Sequence, residues 1–188
     1  VKSGLETRVS VSQYRLAIHL GTAIILLGAI LWTALEYWRG PAKGGKGGGL
    51  VLVALVYVQM LLGALVAGLH GGLVYNTWPS MDGHVFPELQ FTWTSFFEDP
   101  GLAQFDHRIG AYVVLVVGLW TAWGARKLAA SQAVAGLLLV QVALGIATLL
   151  AQAPVGMAAA HQLVAALLFC ASVWLAYAMR SAPDPDRQ

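Results

Sequence analysis

The sequence predicts an all-α, polytopic membrane protein of five transmembrane helices, four forming an antiparallel four-helix bundle and the first standing as an orphan. Three observations carry this. The chain is 58% hydrophobic and only 11% charged over 188 residues, with a mean hydropathy of +0.69, far too apolar for a soluble domain of this size. Five apolar runs, at roughly 13–38, 50–70, 107–127, 131–152 and 157–179, each approach the ~20 residues that cross a bilayer as a helix. One template also recurs, a histidine followed thirteen positions later by a tryptophan, in His19 with Trp32, His107 with Trp120 and His161 with Trp174.

Composition removes several classes of function. The net charge is +2 and the basic residues are scattered at helix ends, so nucleic acid is not an implied partner. The single cysteine, Cys170, lies inside an apolar run and reads as core filler. A disulfide framework and a cysteine metal site are thereby excluded within the chain, which leaves histidine as the plausible metal ligand.

Residues 1–12 are polar, carry Lys2, Glu6 and Arg8, and lack the basic stretch, apolar core and cleavage site of a signal peptide. All five apolar runs are expected as helices, because backbone groups in lipid must be satisfied within the segment. The link after the first run holds Arg39, Lys43 and Lys46 among glycines, the link after the third holds Arg126 and Lys127, and the last run ends at Arg180. The loop 71–106 is acidic, with Asp82, Glu88, Glu98 and Asp99, and the turn 152–156 is uncharged. By the positive-inside rule the basic set is cytoplasmic, so the N-terminus of these residues is outside and the C-terminus inside. The tail 181–188, rich in proline and aspartate, is expected to be disordered.

The second run contains Val58-Gln59-Met60-Leu61-Leu62-Gly63 and the fourth contains Val140-Gln141-Val142-Ala143-Leu144-Gly145. Each VQxxLG run precedes a histidine run, so the chain reads as two matched pairs with a lone histidine helix in front. The expected organisation is residues 1–46 as the last helix of an incomplete first bundle with its glycine-rich linker, 47–180 as a second bundle with outer loop 71–106, and 181–188 as the tail. The sequence is expected to begin within a repeat, as a piece of a longer protein. The motif itself suits helix packing, glycine allowing close approach and glutamine bonding across helices, with direct cofactor contact as the alternative.

Thirteen residues of helix rise about 20 Å, most of a bilayer core. Each histidine therefore sits near one membrane face and each tryptophan near the other, where tryptophan suits the interfacial belt. An ionisable ring inside a membrane helix marks a functional site by default. His107 and His161 begin runs of the same direction, two spans apart, and facing rings across a bundle are what the two axial ligands of one haem iron need. Bare zinc or copper would ask for further ligands at that depth, and the sequence supplies none. Arg108 is placed either to pair with a haem propionate or to snorkel. Asp106 is placed either to cap the helix or to receive an imidazole N–H, and His70 and His84 read as solvated loop residues. Iron with two protein ligands has no place for His19, which is assigned to a second, half-built haem site.

The loop Leu73-Val74-Tyr75-Asn76-Thr77-Trp78-Pro79-Ser80-Met81-Asp82-Gly83, followed by Phe86-Pro87-Glu88, resembles the haem A synthase family, whose signature is an NTWP-x-MDG segment. Phe105-Asp106-His107-Arg108 and Ala160-His161-Gln162 look like its two later histidine motifs, and the likeness covers essentially the whole chain. The resemblance implies eight membrane helices in two related bundles and the oxidation of the C8 methyl of haem O to the formyl of haem A. It implies that runs two to five hold haem b as an electron-transfer cofactor between His107 and His161. His19 looks like the second histidine of the first bundle, where substrate haem binds. The family's first three helices, with another histidine and a carboxylate thought to act in catalysis, have no counterpart in these residues, so turnover is expected to need them.

The resemblance further implies a bacterial plasma-membrane protein serving cytochrome oxidase assembly. Haem O and membrane lipid are its implied partners, with haem O synthase, an electron acceptor and a second copy of the chain as further candidates. The rival readings are a non-enzymatic b-type cytochrome passing electrons to a quinone or partner, and a structural assembly factor whose histidines merely join helices.

Overall fold

The computed structural model describes residues 12–42, 44, 48–86 and 91–181. The expectations placed on Lys2, Glu6, Arg8, Lys43, Lys46, Glu88 and the tail 182–188 lie outside the described residues. Among the described residues six helices occur in the order α1 (Gln13–Arg39), α2 (Gly48–Gly68), α3 (Trp93–Glu98), α4 (Pro100–Gly124), α5 (Ala129–Leu150) and α6 (Val155–Ser181), with one 3-10 turn at Gly71–Leu73 between α2 and α3. No strand occurs among the described residues. Five of the helices, all but α3, are long and apolar enough to cross a membrane.

Large apolar side chains remain exposed along all of these helices, among them Ile18 at 69%, Val116 at 67% and Leu163 at 63%. In water such a surface would drive aggregation, and against lipid tails it is the expected lining.

Four of the long helices close a ring: α2 packs on α4 and α6, and α5 packs on the same two. Their shared core is built from Leu52 and Val56 of α2, Val134 and Leu138 of α5, and Phe169 and Leu175 of α6. Close approach is set by small residues. A Cβ on Gly49 would stand 2.6 Å from Cα of Ala176, so only glycine lets α2 lie this near α6. Helix α1 lies outside the ring against α2 and α6.

Cross-links fix which helix ends lie together. At one end Tyr177 donates its hydroxyl to the Gly40 carbonyl at 2.6 Å, Trp32 meets Tyr177 edge-on at 5.7 Å, and Arg39 stacks over Trp174 at 5.9 Å. At the other end Gln13 donates to the Phe97 carbonyl at 3.3 Å, the Tyr14 hydroxyl bonds the Glu98 carboxylate, and Asn76 donates to the Leu149 carbonyl at 3.0 Å. Arg39 and Arg180 fall in the last turns of α1 and α6, with Arg126 and Lys127 just beyond α4, whereas Asp82, Glu98 and Asp99 fall at the opposite end.

The third long helix departs from expectation. It begins at Pro100 rather than near 107, because Asp99 accepts the Leu102 N–H at 2.7 Å and Pro100 occupies the first turn. Aspartate followed by proline is a helix-start signal that hydropathy does not register, since Gln104, Asp106 and Arg108 dilute the apolar count. The segment 71–106 is accordingly not all loop: it contains the turn at Gly71–Leu73, the short helix α3 and the first two turns of α4.

Candidate functional site

The early start of α4 moves its histidine off the helix mouth. His107 is the eighth residue of α4, His161 the seventh of α6 and His19 the seventh of α1, so all three lie about 10 Å inside the helix start at ~1.5 Å per residue. Asp106 does not cap α4; Asp99 does. Nor does any hydrogen bond among the described residues join Asp106 to an imidazole, and its Oδ2 is buried without a partner.

The rings of His107 and His161 face each other with centroids 6.5 Å apart and planes inclined at 76°. They border a half-open cavity of about 600 Å³ lined by α2, α4, α5 and α6 and by the loop after α2. Its walls are mostly aliphatic, and the polar groups that enter it besides the two imidazoles include Gln59, Gln141, Gln104 and Arg108. His19 is exposed on α1 and is not among the residues bordering this cavity. His70 and His84 are exposed as well, with His70 at the cavity edge.

Each histidine meets a glutamine amide, though on a different ring nitrogen. Nε2 of Gln59 lies 3.0 Å from Nδ1 of His107 and donates to the His107 carbonyl at 2.8 Å. Nε2 of Gln141 lies 3.3 Å from Nε2 of His161. One helical turn after each glutamine comes a glycine beneath the same ring. A Cβ on Gly63 would stand 3.1 Å from Cε1 of His107, and one on Gly145 would stand 2.9 Å from Cε1 of His161. The VQxxLG repeat thus puts an amide and a gap on one helix face, i and i+4, against the histidine of the next long helix. The sequence holds that signal in the repeat, although helix packing alone accounts for such a motif equally well.

The end of the cavity toward the starts of α4 and α6 is covered by the loop after α2. Arg108 donates to the Tyr75 carbonyl at 2.9 Å and the Ser80 carbonyl at 3.3 Å, while its Nε is buried without a partner. Gln104, 3% exposed, donates to the same Tyr75 carbonyl at 3.1 Å. Asn76 bridges the Gly72 carbonyl at 2.7 Å and the Leu149 carbonyl at 3.0 Å, sharing the latter with the Gln152 N–H at the end of α5. Thr77 ties the turn through the Ser80 carbonyl at 2.9 Å and the Asp82 N–H at 2.8 Å, and Met81 is buried beneath it. The role of Arg108 as a loop anchor was not readable in sequence, because nothing local says where residues 75–80 return.

Chemically, the site offers two imidazoles at one depth in an apolar chamber. Among the described residues no cluster of three or more histidine, cysteine, aspartate or glutamate side chains is placed to hold a metal ion. The pair therefore suits a metal that brings most of its own ligands with it.

A family model described as Cytochrome oxidase assembly protein matches residues 1–173. A protein of Parvibaculum lavamentivorans named Heme A synthase is 43% identical over 186 residues, covering 93% of this chain and 54% of the relative. Proteins of the same name from Maricaulis maris and Brucella ovis are 41% and 42% identical, covering 97% and 94% of this chain and 58% and 54% of their own lengths. The chain spans little more than half the length of these curated relatives. No solved structure matches it.

Proposed function

The chain belongs to the cytochrome oxidase assembly protein family, and from that premise we propose that it forms the haem b half of a haem A synthase-type oxidoreductase. Such an enzyme converts the C8 methyl of haem O, its substrate, to the formyl of haem A. The observation that carries the reading is the 6.5 Å separation of the His107 and His161 rings. A metal–nitrogen bond of about 2 Å on each side, with a little over 1 Å from nitrogen to ring centre, sums to roughly 6.3 Å.

Other features of the site agree with a haem. The chamber of about 600 Å³ is walled by aliphatic side chains, as a flat apolar cofactor requires. Gly63 and Gly145 leave the imidazoles room that any Cβ would take. Arg108, with Nε free of partners at the outer end of the chamber, is suited to a propionate.

His107 and His161 would hold the haem b, which would supply one-electron transfer there. The protein's own part is to orient the two rings, to exclude water with the aliphatic walls, and to cover the outer edge with the loop held by Gln104, Arg108 and Asn76. His19, on the helix outside the ring, is proposed as a ligand of the substrate haem in a second site. The basic helix ends carrying Arg39, Arg126 and Arg180 are proposed as cytoplasmic, which sets the His107–His161 pair in the outer half of a bacterial plasma membrane.

The test joins this chain to the part of the Parvibaculum relative that it does not cover, in cells that make haem O but no haem A. Haem A in the extracted pigments, lost on His107→Ala, is the expected result. Haem O alone, from membranes in which the chain still carries haem b, would overturn the synthase reading in favour of a simple b-type cytochrome.

A further inference from the structure

We propose that Gln59 and Gln141 are positioning residues for the two imidazoles, each supplying the acceptor that fixes the ligating tautomer and holds down the reduction potential of the bound metal. The inference rests on His107 and His161 being axial ligands.

A neutral imidazole that gives one nitrogen lone pair to a metal carries its proton on the other nitrogen, and that N–H needs an acceptor. Carboxylates and backbone carbonyls fill this role in most sites. Here the neighbouring carboxylate, Asp106, makes no bond to either ring. The groups within reach are the carboxamides of Gln59, 3.0 Å from a ring nitrogen of His107, and Gln141, 3.3 Å from a ring nitrogen of His161. In both residues Oε1 is buried without a hydrogen-bond partner. Two orphaned acceptors, each on a side chain already touching a candidate ligand, are hard to explain as packing alone, since a buried unmade bond costs about 1–3 kcal/mol.

A half-turn of the terminal amide brings Oε1 onto the ring N–H. For Gln141 this gives up nothing but the present 3.3 Å contact. For Gln59 it gives up the 2.8 Å bond to the His107 carbonyl and requires a small side-chain shift that carries Oε1 clear of that carbonyl oxygen, while Gly110, having no Cβ, leaves room for the amide nitrogen. The other nitrogen of each ring is left to the metal. Nδ1 of His161 is buried without a partner, and Nε2 of His107 makes no hydrogen bond among the described residues.

An accepted N–H makes the imidazole a stronger electron donor and favours the oxidised metal. Removing the acceptor therefore raises the potential, and replacing the amide with a carboxylate lowers it. A packing residue would not give shifts of opposite sign for two side chains of similar volume.

The experiment measures haem content, reduction potential and the low-temperature electron paramagnetic resonance of the ferric protein, in the wild type and in Gln141→Leu, Gln141→Glu, Gln59→Leu and Gln59→Glu. Expected are an upward shift in the leucine variants, a downward shift in the glutamate variants, altered g-anisotropy in all four, and haem affinity 10–100-fold weaker with leucine. Loss of haem from both leucine variants with retention in the glutamate variants supports the same role. A wild type that binds haem, with potential and spectrum unmoved in the leucine variants, overturns this inference and leaves the haem reading standing. A wild type without haem overturns both.

Discussion

Arg108 donates to the Tyr75 carbonyl at 2.9 Å across 33 positions of sequence, and Gln104, one turn earlier on α4, reaches the same oxygen at 3.1 Å. The loop signature and the histidine helix are therefore one unit: the residue after His107 holds the cover over the chamber that His107 borders.

Arg108→Ala removes two charge-assisted bonds to that loop, at 2.9 and 3.3 Å, each worth about 1.5–3 kcal/mol where water is excluded. Hydrogen exchange in residues 74–84 should quicken while α2 and α5 stay protected. Unchanged exchange in the loop would show that Asn76 and Thr77 hold it unaided.

The start of α4 gives a paired prediction. Asp99→Ala deletes the acceptor for the Leu102 N–H and should cost about 0.5–2 kcal/mol of local stability, seen as faster exchange in the first turn of α4. Asp106→Ala should leave that turn unchanged, because Asp106 lies within the helix and caps nothing.

Contact between α2 and α6 depends on Gly49. Its Cβ would meet backbone at 2.6 Å, which no rotamer change relieves, so Gly49→Val should cost about 1–3 kcal/mol by overpacking. Thermal melting in detergent checks it, with Gly136→Val as the control, since a Cβ there meets nothing within 4 Å.

Beneath His161 the same logic bears on the site. Gly145→Val puts a side chain 2.9 Å from Cε1 at its first atom and should displace the ring, with haem occupancy falling at least tenfold while the helices remain folded by circular dichroism. Full occupancy would show that the ring has room to move.

The five long helices were legible because length and apolarity are local properties that lipid makes decisive. The short helix α3 and the early start of α4 were not, since Trp93–Glu98 has no apolar period to read and polar residues mask the first turns after Pro100. At the site, the sequence pattern paired His107 with His161 across a bundle, but it did not say that Gln59 and Gln141 would meet those rings. Each motif sits on a different helix, and only packing of α2 on α4 and of α5 on α6 brings glutamine to imidazole. Arg108 illustrates the opposite limit. Its partners are backbone carbonyls, which every residue carries, so no side-chain pattern could have pointed to Tyr75 or Ser80.

The most direct measurement is the visible spectrum of protein purified from haem-replete membranes, taken oxidised and reduced. A low-spin b-type spectrum in the wild type and in His84→Ala, absent in His107→Ala and in His161→Ala, is the result predicted from the facing rings. A colourless wild type, or an unaltered spectrum in either of the latter variants, would contradict it.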